Sequence, residues 1–132
     1  MKMRILDQSI RFRLTQAEVH QFDQQGQVET HIFFGPHNTQ KLSYCITQDD
    51  QTSEVFVDYL DHTVTIHVPK PIANRWIHSD EVGFSTPPNS KTDPDRVFIL
   101  VEKDFECLHP RENKDDQDVF PHPRKDQKNP SC

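Results

Sequence analysis

The chain has 132 residues, 33% of them apolar and 27% charged, with a formal net charge of −6. That length fits one domain with one core, able to fold without metal or disulfide staples. The acidic balance argues against nucleic acid or an anionic membrane as partner, since both need a basic surface that neutralises phosphates.

In chain order, Ile10, Phe12 and Leu14 alternate with Arg11 and Arg13, the period-two signature of a half-buried strand. Met3 and Ile5 have the opposite parity, so a hairpin at Asp7-Gln8-Ser9 is expected between two short strands. Thr15-Gln16-Ala17-Glu18 reads as a capping box that opens a helix bearing Val19 and Phe22 on one face. Gly26 supplies its left-handed C-cap. Four strand-like runs follow, at residues 27–34, 41–47, 54–60 and 62–68, joined by short polar links. Pro69 and Pro71 open a short helix over residues 71–78 with Ile72, Trp76 and Ile77 as its apolar face. A brief strand over 82–85 precedes a loop over 86–94, rich in Pro, Asn and Ser and without a burial pattern. The run Val97-Phe98-Ile99-Leu100-Val101 has the continuity of a central strand.

Short links imply antiparallel neighbours, because a parallel pair needs a crossover of about a dozen residues. The expected fold class is therefore α+β: a mainly antiparallel, curved meander of about six to eight strands with a barrel-like curl, and two short helices. No internal repeat is apparent. Residues 1–123 form one domain in this reading, with an extended tail docked from about residue 104 onward through its few apolar side chains. Residues 124–132 are expected to be disordered. Met1-Lys2-Met3-Arg4 lacks the apolar segment of a secretory signal, and Cys45, Cys107 and Cys132 form no disulfide framework. A cytoplasmic setting is the expectation.

Three groups of side chains are candidates for chemistry. Arg11 and Arg13 share a strand face, Arg4 lies across the hairpin from them, and Lys103 ends the apolar run. Such a cluster suits a phosphate or carboxylate ligand through bidentate guanidinium contacts; the plainer reading is a solvated face paired with Glu29, Asp58 or Glu102. Cys107 and His109, followed by Asp115, Asp116, Asp118 and His122, carry side chains that a transition metal prefers. No second thiolate stands near them, and a small buried Cys107 beside an acidic loop accounts for the same residues. Of the eight histidines, His31 and His67 fall at outward positions of strands that could be neighbours, yet neither has a nucleophile at a recognisable spacing. Three glycines leave no phosphate-cradling loop, and no cofactor is expected.

The segments Ile10-Arg11-Phe12-Arg13-Leu14-Thr15-Gln16-Ala17-Glu18-Val19, Ser79-Asp80-Glu81-Val82-Gly83 and Glu102-Lys103-Asp104-Phe105-Glu106-Cys107-Leu108 resemble a family of small uncharacterised bacterial proteins. Phe120-Pro121-His122-Pro123 closes the likeness. It implies a bacterial cytoplasmic protein whose tail belongs to the domain, and it carries no activity. A fainter likeness is to the triphosphate-tunnel enzymes, whose first strand alternates Glu-x-Glu-x-Lys. Lys2-Met3-Arg4-Ile5-Leu6 stands at that place without an acidic pair to hold a metal. The functional expectation is a non-catalytic binding or interaction domain for a small ligand or protein. The alternatives are an enzyme handling anions through the arginines, or a thiol or metal site in the tail.

Overall fold

In a computed structural model of the chain, the described residues are 1–105, 120, 121 and 123, without the side chains of Pro88 and Asn89. The expected docking of the tail therefore lies mostly outside them. Among the described residues, eight strands and two α-helices follow in the order β1 (Lys2–Leu6), β2 (Ser9–Leu14), α1 (Gln16–Gln25), β3 (Gln27–Phe33), β4 (Lys41–Asp49), β5 (Phe56–Leu60), β6 (Thr63–Pro69), α2 (Lys70–Ile77), β7 (Gly83–Ser85) and β8 (Phe98–Lys103). They build an α+β fold with two four-stranded sheets, ordered β1-β2-β8-β7 and β3-β4-β6-β5.

The local signals act where they stand. Asp7 takes a positive φ of 49° at the tip of the β1–β2 hairpin, a conformation that a short polar side chain tolerates. Thr15 accepts from the Glu18 amide while the Glu18 carboxylate accepts from the Thr15 amide. Gly26, at φ 77°, ends α1 by donating its amide to Phe22. β8 is a strand and is central in its sheet.

The pairing departs from an antiparallel meander. β2 runs parallel to β8, and β4 runs parallel to β6, so both sheets are mixed, and neither closes into a barrel. The crossover requirement is met all the same: β5 and its flanking turns fill the chain between β4 and β6. The loop after β7 also differs from expectation. It holds a 3-10 turn (Pro88–Lys91), and Thr86 and Ser90 within it are buried.

The sheet order exposes an internal repeat. A unit β-β-α-β-β occurs twice, and each sheet takes one hairpin from either copy. Leu6 corresponds to Leu60, Asp7 to Asp61, Phe12 to Ile66, Leu14 to Val68 and Phe22 to Trp76, all at one constant spacing. Asp61 repeats the positive φ of Asp7 at 51°. Phe12 lies beside Val101 across the first parallel pair, as Ile66 lies beside Ile46 across the second. The inner rows Met3-Phe12-Val101-Phe84 and Val57-Ile66-Ile46-Val28 are therefore equivalent. Their residues share a single core with Leu14, Val68, Phe22 and Trp76. Phe22 and Trp76, counterparts on the two helices, meet edge to face at 6.3 Å, a favoured geometry for an aromatic pair.

Helix ends are tied down in the same repeated way. The Gln48 side chain donates to the Phe22 carbonyl near the end of α1 at 2.9 Å. Its counterpart Lys103 donates to the Ser79 carbonyl beyond α2 at 2.7 Å. Among the described residues no helix is long and apolar enough to cross a membrane.

Candidate functional site

With the apolar rows turned inward, strand alternation places a polar row on the outer face of each sheet. The outer rows of the first sheet are Lys2-Arg13-Glu102-Gly83 and Arg4-Arg11-Leu100-Ser85. Arg4, Arg11 and Arg13 therefore share one face. Arg11 forms a 3.2 Å ion pair with the half-buried Glu102, and Lys2 reaches Asp104 at 3.4 Å. Of the three acidic partners considered from sequence, Glu102 is the one on this sheet; Glu29 and Asp58 belong to the other. Lys103 is not part of the arginine face. It pairs with Leu14 on the inward parity, and its ammonium lies 5.7 Å from the Trp76 ring centroid.

The outer face of the second sheet has the opposite chemistry, with rows Phe56-His67-Thr47-Gln27, Asp58-Thr65-Cys45-Glu29 and Leu60-Thr63-Ser43-His31. His67 lies flat on Phe56, with ring centroids 4.4 Å apart, while its Nε2 meets Asp58 at 2.7 Å and its Nδ1 meets Asp49 at 3.2 Å. Both ring nitrogens are thereby engaged, which leaves neither for a base or ligand role. His31 and His67 do not form a pair: β4 stands between their strands, and they lie in different rows.

Sequence spacing concealed a histidine–hydroxyl contact. His31 Nδ1 lies 2.7 Å from Ser43 Oγ across β3 and β4, but Glu29 approaches the same nitrogen at 3.8 Å. A nucleophilic triad needs serine and carboxylate on opposite ring nitrogens, and Ser43 is 1% exposed. The contact is structural. Cys45 is buried beside it, and burial, reinforced by the Glu29 and Asp58 carboxylates, pushes its thiol up to about 11. A thiol so protonated is a poor nucleophile at neutral pH.

Cys107 and His109, the expected metal pair, lie outside the described residues. Among the described residues, no group of three or more His, Cys, Asp or Glu is placed to hold a metal ion.

A concave feature lies elsewhere, in the seam between the sheets. A cavity of about 250 Å³ opens between β5 and the loop joining β7 to β8. Val55, Val57, Pro87, Val97 and Ile99 give it apolar walls, and Glu54, Ser90, Asp95 and Arg96 supply polar groups. Thr86 fixes the wall by accepting from the Ile99 amide at 3.0 Å. Arg96 also reaches Asp93 at 3.5 Å, and Glu54 and Asp95 give the cavity lining two carboxylates to its one guanidinium.

The repeat explains why the cavity is on this side. At the equivalent seam, Tyr44 occupies the place of Ile99, and Met1 that of Val55. The Tyr44 ring packs edge-on against Phe12 at 5.8 Å, and its hydroxyl donates to the Met1 carbonyl at 2.8 Å. One seam is thus filled by an aromatic ring. Its counterpart, lined by two shorter aliphatic side chains, stays open. No sequence pattern marked this, since Thr86 and Ser90 sit in an aperiodic loop.

The model of a family of unknown function, DUF7009, matches residues 1–124, and the chain belongs to that family. No curated protein and no solved structure matches it.

Proposed function

We propose that this family member is a non-catalytic binding domain whose open seam takes a small ligand with an apolar body and a cationic or hydrogen-bond-donating head. The observation that carries this reading is the 250 Å³ cavity beside Val55 and Ile99, at the place where the other half of the molecule inserts Tyr44. Pockets that fix drug-sized ligands are concave and mostly apolar, with a few polar groups, and run from roughly 300 Å³ upward; this one, at about 250 Å³, falls just short of that and suits a smaller molecule. Glu54 and Asp95 favour a donor or cation over an anion. Support for the absence of catalysis comes from the two histidine contacts, where ring nitrogens or hydroxyl are already committed.

The test is a thermal-shift panel of small aliphatic and aryl amines set against the matching carboxylates. A ligand bound by the native state raises the melting point in proportion to RT ln(1 + [L]/Kd). Amines are expected to stabilise the protein, and Ile99→Tyr or Val97→Phe, which fill the seam, to abolish the shift. Equal shifts in the filled variants, or none with any amine at millimolar concentration, would overturn the reading.

The shared face of Arg4, Arg11 and Arg13 supports a second reading, in which an anion is bound there by an enzyme or carrier. Titration with inorganic phosphate and pyrophosphate, repeated with Arg11→Ala and Arg13→Ala, separates the two. A bacterial, cytoplasmic setting belongs to the same proposal, supported by the odd cysteine count and by the resemblance over the closing Glu102-Lys103-Asp104-Phe105-Glu106-Cys107-Leu108 motif.

A further inference from the structure

Each four-stranded sheet ends in two edge strands whose outward backbone groups invite another strand, and proteins normally guard such edges with lysine, proline, bulges or shortness. Two of the four edges here are guarded in that way: β1 carries Lys2 and Arg4, and β7 is three residues long. β5, five residues long, leaves Phe56, Tyr59 and Leu60 exposed but carries Asp58 at its centre, a carboxylate that would meet its own copy on a central two-fold axis. β3 is the longer of the two unguarded edges and has no charge at its centre. It spans seven residues, Gln27–Phe33, without Lys, Pro or Gly, and its end leaves Ile32, Phe33 and Phe34 at 48%, 58% and 72% exposure. Exposed apolar side chains grouped in this way mark an interaction surface.

We infer that β3 is the interface to a second copy of this chain, the two β3 strands pairing antiparallel about Thr30 to join their sheets edge to edge. A two-fold axis requires one surface to be its own complement, residue i meeting j and j meeting i. Backbone direction restricts the choices. The Phe34 amide donates inward to the Gln40 carbonyl at 2.7 Å. By strand alternation Thr30 and Ile32 also point their backbone groups toward β4, and Glu29, His31 and Phe33 point theirs to the open edge. Pairing must therefore set odd positions against odd positions, which leaves an axis on a residue and not between two.

Side-chain chemistry then selects the residue. An axis at Glu29 would place that carboxylate against its own copy, and one at His31 would do the same for the imidazoles. Centred on Thr30, the register sets Glu29 opposite His31 of the copy, twice, with Thr30 against Thr30. A carboxylate that accepts from an imidazole N–H, and a Thr–Thr pair, stabilise cross-strand contacts, whereas like charges directly opposite are destabilising. Ser43 and Glu29 of the same chain both lie on His31 Nδ1, so Nε2 is the nitrogen left for the copy's carboxylate. The same register brings the exposed Ile32 opposite Val28, a core residue, and sets Phe33 against Gln27, so that the apolar end of each strand is covered by the start of the other.

Sedimentation velocity on the full chain tests this, from roughly 1 to 200 μM, a range over which a mass-action dimer changes population. The expected species has twice the 15.5 kDa of the monomer. Glu29→Lys is expected to weaken the dimer by about tenfold or more. Adding His31→Glu to it places opposite charges across the axis and is expected to recover most of the loss. Hydrogen exchange locates the contact: the Glu29, His31 and Phe33 amides gain protection as concentration rises. A monomer throughout the range, a dimer indifferent to Glu29→Lys, or a dimer in which those three amides remain unprotected would each overturn the inference.

Discussion

Raising the pH from 7 to 10 is expected to weaken the fold through one buried thiol. Cys45 ionises near 9.0 in an unfolded chain and near 11 in the native protein, because burial, with Glu29 and Asp58 close by, disfavours the thiolate. A group whose native pKa is raised contributes its full stability below the unfolded value and loses it as pH climbs toward the native one. Here that window runs from about 9 to 11. One pKa unit is worth about 1.4 kcal/mol, so roughly that much is lost by pH 10 and about twice as much above 11. Against a typical stability of about 5–15 kcal/mol, the loss is measurable. Urea unfolding followed by Trp76 fluorescence, in a Cys107→Ser/Cys132→Ser background, supplies the assay. Comparison with added Cys45→Ala cancels every other group that titrates in this range. The stability difference between the two proteins is expected to shift by about 1–2 kcal/mol between pH 7 and 10, with Cys45 losing ground. A flat difference would show that the thiol does not sit in the acidic, desolvated setting that the outer row of the second sheet provides.

Three further outcomes follow from the packing. Thr15→Ala removes one half of the capping box and is expected to cost about 1 kcal/mol in denaturant unfolding. Gly83→Ala places a Cβ 2.4 Å from the Val101 carbonyl oxygen; separating β7 from β8 to relieve it is expected to cost about 1–3 kcal/mol and to expose to exchange the Phe84 and Thr86 amides, which face β8. Trp76→Ala empties the contact among Phe22, Phe84 and Lys103 and leaves the Val82 carbonyl, which accepts from the indole, with the Lys103 amide alone. A loss of about 3–5 kcal/mol, read as a lowered urea midpoint, is expected.

Whatever depends on near neighbours was legible in the residues. The phase shift between Ile5 and Ile10, the Thr15–Glu18 reciprocity and the Gly26 cap are each decided within a few residues, and each stands in the structure. Parallel pairing was not legible, because β2 and β8 lie at opposite ends of the domain and their inward faces read the same in either direction. The arginine face was found by parity, since Arg11 and Arg13 differ by two; Lys103 was misplaced because it lies on the other parity from Glu102. The seam cavity had no signal at all. It depends on what Ile99 is not, and that comparison exists only once the second half of the molecule is laid over the first.

That comparison also shows how a repeat can vanish from the sequence while governing the fold. Across the paired hairpins and helices, Leu6 and Asp7 are the residues that recur unchanged, as Leu60 and Asp61. The rest keep only a physical role: Phe12 and Ile66 fill the same row, Thr15 and Pro69 open the same helix by different means, and Phe22 and Trp76 meet where the helices cross. Core positions tolerate such exchanges when volume and patterning are preserved. Outward positions answer to no such constraint, and there the halves have separated: arginines at one sheet, carboxylates and histidines at the other. At the margin of the core they differ too, with an aromatic plug in one seam and a cavity in the other. Binding chemistry in a duplicated domain is therefore best sought where its two halves disagree, and Tyr44 against Ile99 is the disagreement that leaves room for a ligand.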